Sequence, residues 1–108
     1  MDRDEQGEVR KDFADAVNMT PSELEKWLGT DESKSVGEGS GESKGHRSGR
    51  RIVEVKRKGV DDLTDEDHAH MKRVVGYVAR HTKQRPSGDV ADTAWAYSLK
   101  NWGHDPTK

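Results

Sequence analysis

Apolar residues recur every three or four positions in several segments of the chain, which is the spacing of one face of an α-helix. The first such segment predicts a helix from about Glu5 to Val17. In the second, NMTPSELEKWLG, Thr20 is a natural N-cap, Pro21 occupies the first helical position, and Glu23 completes a capping box. The N-terminal third of the chain is therefore predicted to be helical.

The middle of the chain lacks the regular helical spacing of the N-terminal third. The second helix is expected to stop at Gly29 in the left-handed conformation, and a short turn or helix follows through DESKSVG. Residues 37–49, GEGSGESKGHRSG, are rich in Gly and Ser and predict a flexible loop. The next segment predicts a helix from Ser48, because Ile52 and Val55 share a face; a short strand is the alternative, because both are β-branched.

The longest predicted helix begins after Thr64, which can cap an acidic first turn, and ends before Pro86. Gly76 within it would allow another helix to approach closely. The face expected to be buried contains His68, Met71, Val74, Val75 and Val78.

The C-terminal segment SLKNWGHDPTK is either a catalytic or ligand-binding tail or a structural lock for the last helix. Trp95, Leu99 and Trp102 are spaced as one stripe of a helix, and Gly103 suits the position just past its end. Because such aromatic stripes are usually buried, we favour the structural lock.

These patterns predict a single all-α domain, a small compact bundle of about four to five helices with one flexible Gly/Ser-rich loop. Its parts are an acidic helical region (1–36), a linker loop (37–49) and a basic helical region (50–108) with a Trp-anchored C-terminal helix. The expected core consists of Phe13, Leu24, Trp27, Leu28, Ile52, Val74, Val75, Val78, Trp95, Leu99 and Trp102.

Composition narrows the class of protein. Only 29% of the residues are hydrophobic and 37% are charged, so the chain has a lean core and a large solvated surface. The absence of cysteine excludes disulfides, thiolate zinc sites and thiol catalysis. No secretory signal or membrane-spanning stretch is apparent, which makes the cytoplasm the expected location.

Charge is unevenly distributed along the chain. Residues 1–43 hold 12 acidic and 5 basic side chains, a net charge of −7, whereas residues 44–108 hold 9 acidic and 14 basic side chains, a net charge of +5. The basic segment either neutralises nucleic-acid phosphates or pairs with the acidic segment of the same chain. The candidate phosphate contacts are Arg47, Arg50, Arg51, Lys56, Arg57, Lys58, Arg80, Lys83 and Arg85.

Catalytic and metal-binding patterns are weak. His68 and His70 are two residues apart, which directs their side chains away from each other on a helix, so no metal or other cofactor is expected. His81, His104 and Asp105 are the candidates for an acid/base site, but no nucleophile motif accompanies them. We therefore expect a protein that is not an enzyme.

Several blocks of the chain resemble a known family. AVNMTPSELEKWLGTDESKSVG, GHRSGRRIVEVKRK, VVGYVARHTKQRP and YSLKNWGHDPTK are similar to the sequences of domain of unknown function 3140, some members of which carry a loose DNA-binding label. The resemblance covers nearly the whole chain and supports one domain, but it implies no activity, cofactor or site residue.

The function expected from the sequence is that of a non-enzymatic accessory protein that binds the DNA backbone without strong base specificity. The alternative is a protein–protein interaction module that docks through its Trp-bearing helices. No membrane partner is expected.

Overall fold

The computed structural model describes residues 1–36 and 43–108, and these residues form six α-helices and no strand. The helices are α1 (Arg3–Ala16), α2 (Pro21–Leu28), α3 (Asp31–Ser35), α4 (Lys44–Lys56), α5 (Asp65–Thr82) and α6 (Ala94–Asn101), with a 3₁₀ turn at Val60–Asp62. The expected all-α bundle is confirmed. No helix in the described part of the chain is long and apolar enough to cross a membrane.

Each α-helix begins at a polar side chain that accepts a hydrogen bond from a backbone N–H of the first turn. The caps are Asp2, Thr20, Thr30, Ser43, Thr64 and Thr93. Thr20 with Glu23 forms the expected capping box, and Thr64 forms a second one with Asp67. These local hydrogen bonds satisfy backbone donors that have no partner inside the helix.

Two local predictions are wrong. Gly29 has φ −83° and ψ −4°, which is right-handed, because the chain turns directly into the cap of α3 at Thr30. The loop expected over 37–49 is helical from Lys44 onward, because Ser43 caps α4 through the N–H of His46. Residues 37–42 of that predicted loop lie outside the described residues. The helix predicted from Ser48 is confirmed, although it starts earlier.

The bundle consists of two helix pairs, α1 with α5 and α2 with α4, and α6 lies against α2, α3, α4 and α5. Leu24, Ile52, Val74 and Leu99 are fully buried where these helices meet. The expected core is confirmed except at Val75 and Trp95, which are half-buried and pack against its edge. The core thus receives a contribution from every long helix.

A buried amide joins the three helices at one end of the bundle. Asn101 of α6 is 1% exposed, and its Oδ1 accepts hydrogen bonds from Trp27 Nε1 at 2.8 Å and from the Ser33 hydroxyl. Its Nδ2 donates to the Ser33 carbonyl at 3.0 Å. Because each polar atom of the Asn101 side chain has a partner, burial of the amide orients α6 against α2 and α3.

The C-terminal residues lock onto the connection between α1 and α2, as the sequence predicts. Gly103 has φ +80°, and the N–H groups of Gly103 and His104 donate to the carbonyls of Lys100 and Leu99, which terminates α6 in a Schellman motif. The N–H of Asp105 then donates to Asn18 Oδ1 at 2.7 Å. The segment is therefore structural.

Close approach of helices occurs at Gly49, not at Gly76 as expected from the sequence. A Cβ atom at Gly49 would overlap the Asn101 carbonyl and the Leu28 side chain, whereas at Gly76 it would meet only the Arg80 guanidinium. A rigid backbone neighbour cannot move aside, but the end of a flexible side chain can.

Gly49→Ala should therefore lower the free energy of unfolding by about 1–3 kcal/mol through overpacking. Gly76→Ala should raise it by about 0.5–1 kcal/mol, because alanine is the better helix former. Urea denaturation of the two variants tests both signs. Wild-type stability in Gly49→Ala would contradict the close approach of α4 to α6.

Candidate functional site

A groove of about 790 Å³ runs between α4 and α5 and is strongly basic. We refer to it as the basic groove. No Asp or Glu occurs among the described residues that line it. Its cations are Lys44, Arg47 and Arg51 from α4 and Lys72, Arg73 and Arg80 from α5.

Helical periodicity places these cations on facing surfaces. On α4 the groove residues recur at intervals of three and four, from Lys44 through Arg47 to Arg51, and α5 repeats the pattern from His70 to Arg80. Small residues also line the groove, namely Ser48, Ala69 and Gly76. They leave open space between the long basic side chains.

Aromatic rings contribute to the wall of the groove. Tyr77 of α5 stacks on Trp102 with ring centroids 4.2 Å apart and an angle of 14° between the planes. Trp102 is 9% exposed, and burial raises the pKa of the half-buried Tyr77. The stack joins the groove to the core, and the Tyr77 hydroxyl stays uncharged at neutral pH.

A buried polar pair lies within the same lining. His70 is 5% exposed and Ser48 is 6% exposed, and His70 Nε2 lies 3.3 Å from Ser48 Oγ. Burial, reinforced by the charges of Arg51 and Arg73, lowers the pKa of His70 to about 4. His70 is therefore neutral at pH 7.

Asp67 connects the basic groove to the fold. Its buried carboxylate accepts hydrogen bonds from Lys58 Nζ at 2.8 Å and from the Thr64 N–H at 3.0 Å, and Arg51 Nη2 lies 3.5 Å from its other oxygen. The Lys58 hydrogen bond, followed by that of Thr64, holds the pKa of Asp67 well below its usual range. Asp67 thus remains charged and helps to orient Arg51.

The sequence-predicted phosphate contacts divide into two groups. Arg47, Arg51 and Arg80 line the basic groove. Arg50, Lys56, Arg57, Lys58, Lys83 and Arg85 are not among its lining residues.

Most residues of the second group contact protein groups. Lys56 donates to the Val17 carbonyl at 3.3 Å, and Arg57 pairs with Glu25 at 2.7 Å. The Arg85 guanidinium lies 5.5 Å from the centre of the Trp95 ring. Pairing between the acidic and basic segments of the chain therefore occurs, as the alternative interpretation of the charge pattern proposed.

Ten of the thirteen lining residues were absent from the predicted site, among them Lys44, Ser48, His70, Lys72, Arg73 and Tyr77. Lys72 and Arg73 precede Arg80 by about two turns of the same helix, and this spacing is a signal that could have found them. Lys44 and Ser48 fell within or at the edge of the predicted loop. Lys72 also pairs with Glu5 of α1 at 3.1 Å, so its charge is shared with that helix.

The histidines and acids considered for catalysis or metal binding lie in separate contacts. His81 stacks near Trp95, whereas His104 Nδ1 donates to the Ala16 carbonyl at 2.7 Å. In the described ranges no hydrogen bond or ring contact joins His81, His104 and Asp105. Nor do those ranges contain a group of three or more His, Cys, Asp or Glu residues that could hold a metal ion.

The chain matches a known protein family over most of its length. The family described as "Protein of unknown function (DUF3140)" matches residues 12–100. The chain belongs to the DUF3140 family. The DUF3140 match includes every cation of the basic groove, from Lys44 to Arg80. No curated protein and no solved structure matches the chain.

Asp67→Asn should lower the free energy of unfolding at pH 7 by about 1–3 kcal/mol, because a neutral amide leaves Lys58 and Arg51 without a negative partner. Folding lowers the pKa of Asp67, so the carboxylate contributes its full stability above the ordinary value of 3.8 and loses it as the pH falls below that value. The difference between wild type and variant should shrink from pH 7 to pH 2 in denaturant titrations. A difference that stays constant over this range would contradict the stabilising role of the charged Asp67 carboxylate.

Proposed function

We propose that this DUF3140 protein is a non-enzymatic accessory protein that binds DNA through backbone phosphates in its basic groove, without strong base specificity. The observation that carries the proposal is the convergence of six cations from two helices on one groove, with no carboxylate among its described lining residues. Contacts of arginine and lysine side chains with phosphates neutralise charge but carry no information about the bases.

The unpaired state of several groove cations supports the proposal. Among the described residues, no carboxylate lies within ion-pair distance of Lys44, Arg47, Arg73 or Arg80. Cations without an internal partner repel one another, and a polyanion that enters the groove would relieve this repulsion. By contrast, Arg57 and Lys58 already have carboxylate partners.

The slightly acidic isoelectric point of about 6.2 is compatible with this function. Much of the negative charge belongs to α1 and its flanking residues, which line a different groove with Asp2, Glu8 and Asp12. The two grooves share Lys72 and Gly76, and Lys72 pairs with Glu5 of α1. Because salt screens the more distant charges, the cations that line the basic groove matter more to a bound phosphate than the net charge of the chain does.

The alternative function, docking of a protein partner through the Trp-bearing helices, stays a prediction from the sequence. Trp27 and Trp102 are buried, and Trp95 is half-buried with Arg85 over its ring. Little indole surface is available for a partner, so we prefer the basic groove as the interaction site. The cytoplasmic location expected from the sequence also belongs to this proposal.

Fluorescence anisotropy with a labelled random-sequence DNA duplex, at salt concentrations from about 50 to 200 mM, tests the function. We expect a steep dependence of affinity on salt that is the same for unrelated sequences. The double variant Arg47→Gln/Arg80→Gln should lower the slope of log affinity against log salt by about two, since each lost phosphate contact removes about one unit.

Arg57→Gln is the matched control, because it removes one positive charge outside the groove. Its slope should equal that of the wild type. Absence of binding at the lowest salt, or an equal loss per charge in the control, would overturn the proposed groove.

A further inference from the structure

The basic groove differs along its length. Ser48 and Arg51 are three residues apart on α4, and His70 and Arg73 are three residues apart on α5, so each helix presents one polar side chain and one guanidinium. These residues lie towards the end of the groove where α5 begins, since Arg51 is the last α4 residue that lines the groove and also lies 3.5 Å from Asp67. This end of the groove therefore has the composition of a built site.

The Ser48–His70 pair has unused hydrogen-bonding capacity. Its 3.3 Å separation is at the long limit of a hydrogen bond, and the Ser48 hydroxyl can both donate and accept. Both residues are more than nine-tenths buried yet line the groove. Because a hydroxyl has one donor and two acceptor sites, Ser48 can bond His70 and still offer a site to a ligand oxygen in the groove.

The electrostatic surroundings of His70 specify the charge of that group. The charges that act on the imidazole are Arg51 from α4 and Arg73 and Asp67 from α5, and the two arginines oppose its protonation. Asp67 already binds Lys58 and helps to orient Arg51. An anion between the arginines would offset their charge, and a guanidinium binds tetrahedral oxyanions in bidentate fashion.

We propose that Ser48, Arg51, His70 and Arg73 form a subsite for a single phosphate group at the end of the groove where α5 begins. The arginines bind its oxygens, and the Ser48 hydroxyl turns from His70 Nε2 to donate to a third oxygen. His70 takes up a proton from solvent and donates through Nε2 to Ser48 Oγ or to the phosphate. This inference rests on the proposed function, since it assigns one phosphate of the bound ligand to a defined position.

Inorganic phosphate is the first probe, titrated at constant ionic strength with chloride as the balancing anion and followed by ¹⁵N spectra of the histidine rings. We expect saturable shifts at His70 and a rise in its pKa of at least about one unit, since a neighbouring anion favours the charged imidazole. Ser48→Ala and Arg73→Gln should each weaken phosphate binding about tenfold, the effect of one lost hydrogen bond to a charged group. Ser35→Ala, an exposed serine on α3, is the control and should leave binding unchanged.

The source of the phosphate group is distinguished with two DNA hairpins of identical sequence, one carrying a 5′-phosphate. About tenfold tighter binding of the phosphorylated hairpin would assign the subsite to a terminal phosphate monoester. Equal binding with the same response of His70 would assign it to a backbone phosphodiester.

The subsite and the proposed function fail in different ways. Shifts that rise linearly over all basic residues, or a His70 that responds to neither phosphate nor hairpin while the salt-dependent DNA binding persists, would overturn the subsite alone. Saturable phosphate binding at His70 without any DNA binding would support the subsite and remove the nucleic-acid function.

Discussion

Asp67 is the buried carboxylate on which the arrangement of α4 and α5 depends, because it completes the capping box of α5 and binds a cation of α4. Its hydrogen bonds to Thr64 and Lys58 hold the start of α5 against the residues that follow α4. Its second oxygen lies 3.5 Å from Arg51, which lines the basic groove. Asp67 therefore holds Lys58 within the fold and helps to orient Arg51 beside the groove.

The aromatic part of the groove wall depends on close packing around α6. Gly49 allows α4 to contact the backbone at Asn101, and the buried amide of Asn101 binds Trp27 and Ser33. Trp102, the next residue, then stacks on Tyr77 in the groove wall. Asn101 in the core and Trp102 in the groove wall are neighbours in sequence, so the position of the groove is coupled to the packing of the core.

Local signals in the sequence were sufficient to predict much of the fold, but they did not predict which residues line the groove. The capping box at Thr20 and the left-handed Gly103 were predictable because they depend on residues within one turn. Gly45 and Gly49 resembled linker glycines, yet both lie in α4, where a Cβ would crowd Trp102 or Asn101. The need for glycine at these positions comes from contact with α6 and Trp102, which are distant in sequence.

The run from Arg50 to Lys58 shows that the cations which line the groove could not be predicted from local sequence signals either. Its cations are close together in sequence, but the helix and the turn after it direct them to different partners, among them Glu25, Asp67 and the Val17 carbonyl. Only the packing of α4 against its neighbours decides which of them line a groove. The measurement that tests this account most directly is a map of backbone amide shifts when a short DNA duplex is titrated at about 50 mM salt. Binding in the basic groove should give the largest shifts along residues 44–51 and 69–80, and shifts concentrated at residues 56–58 and 83–85 would contradict it.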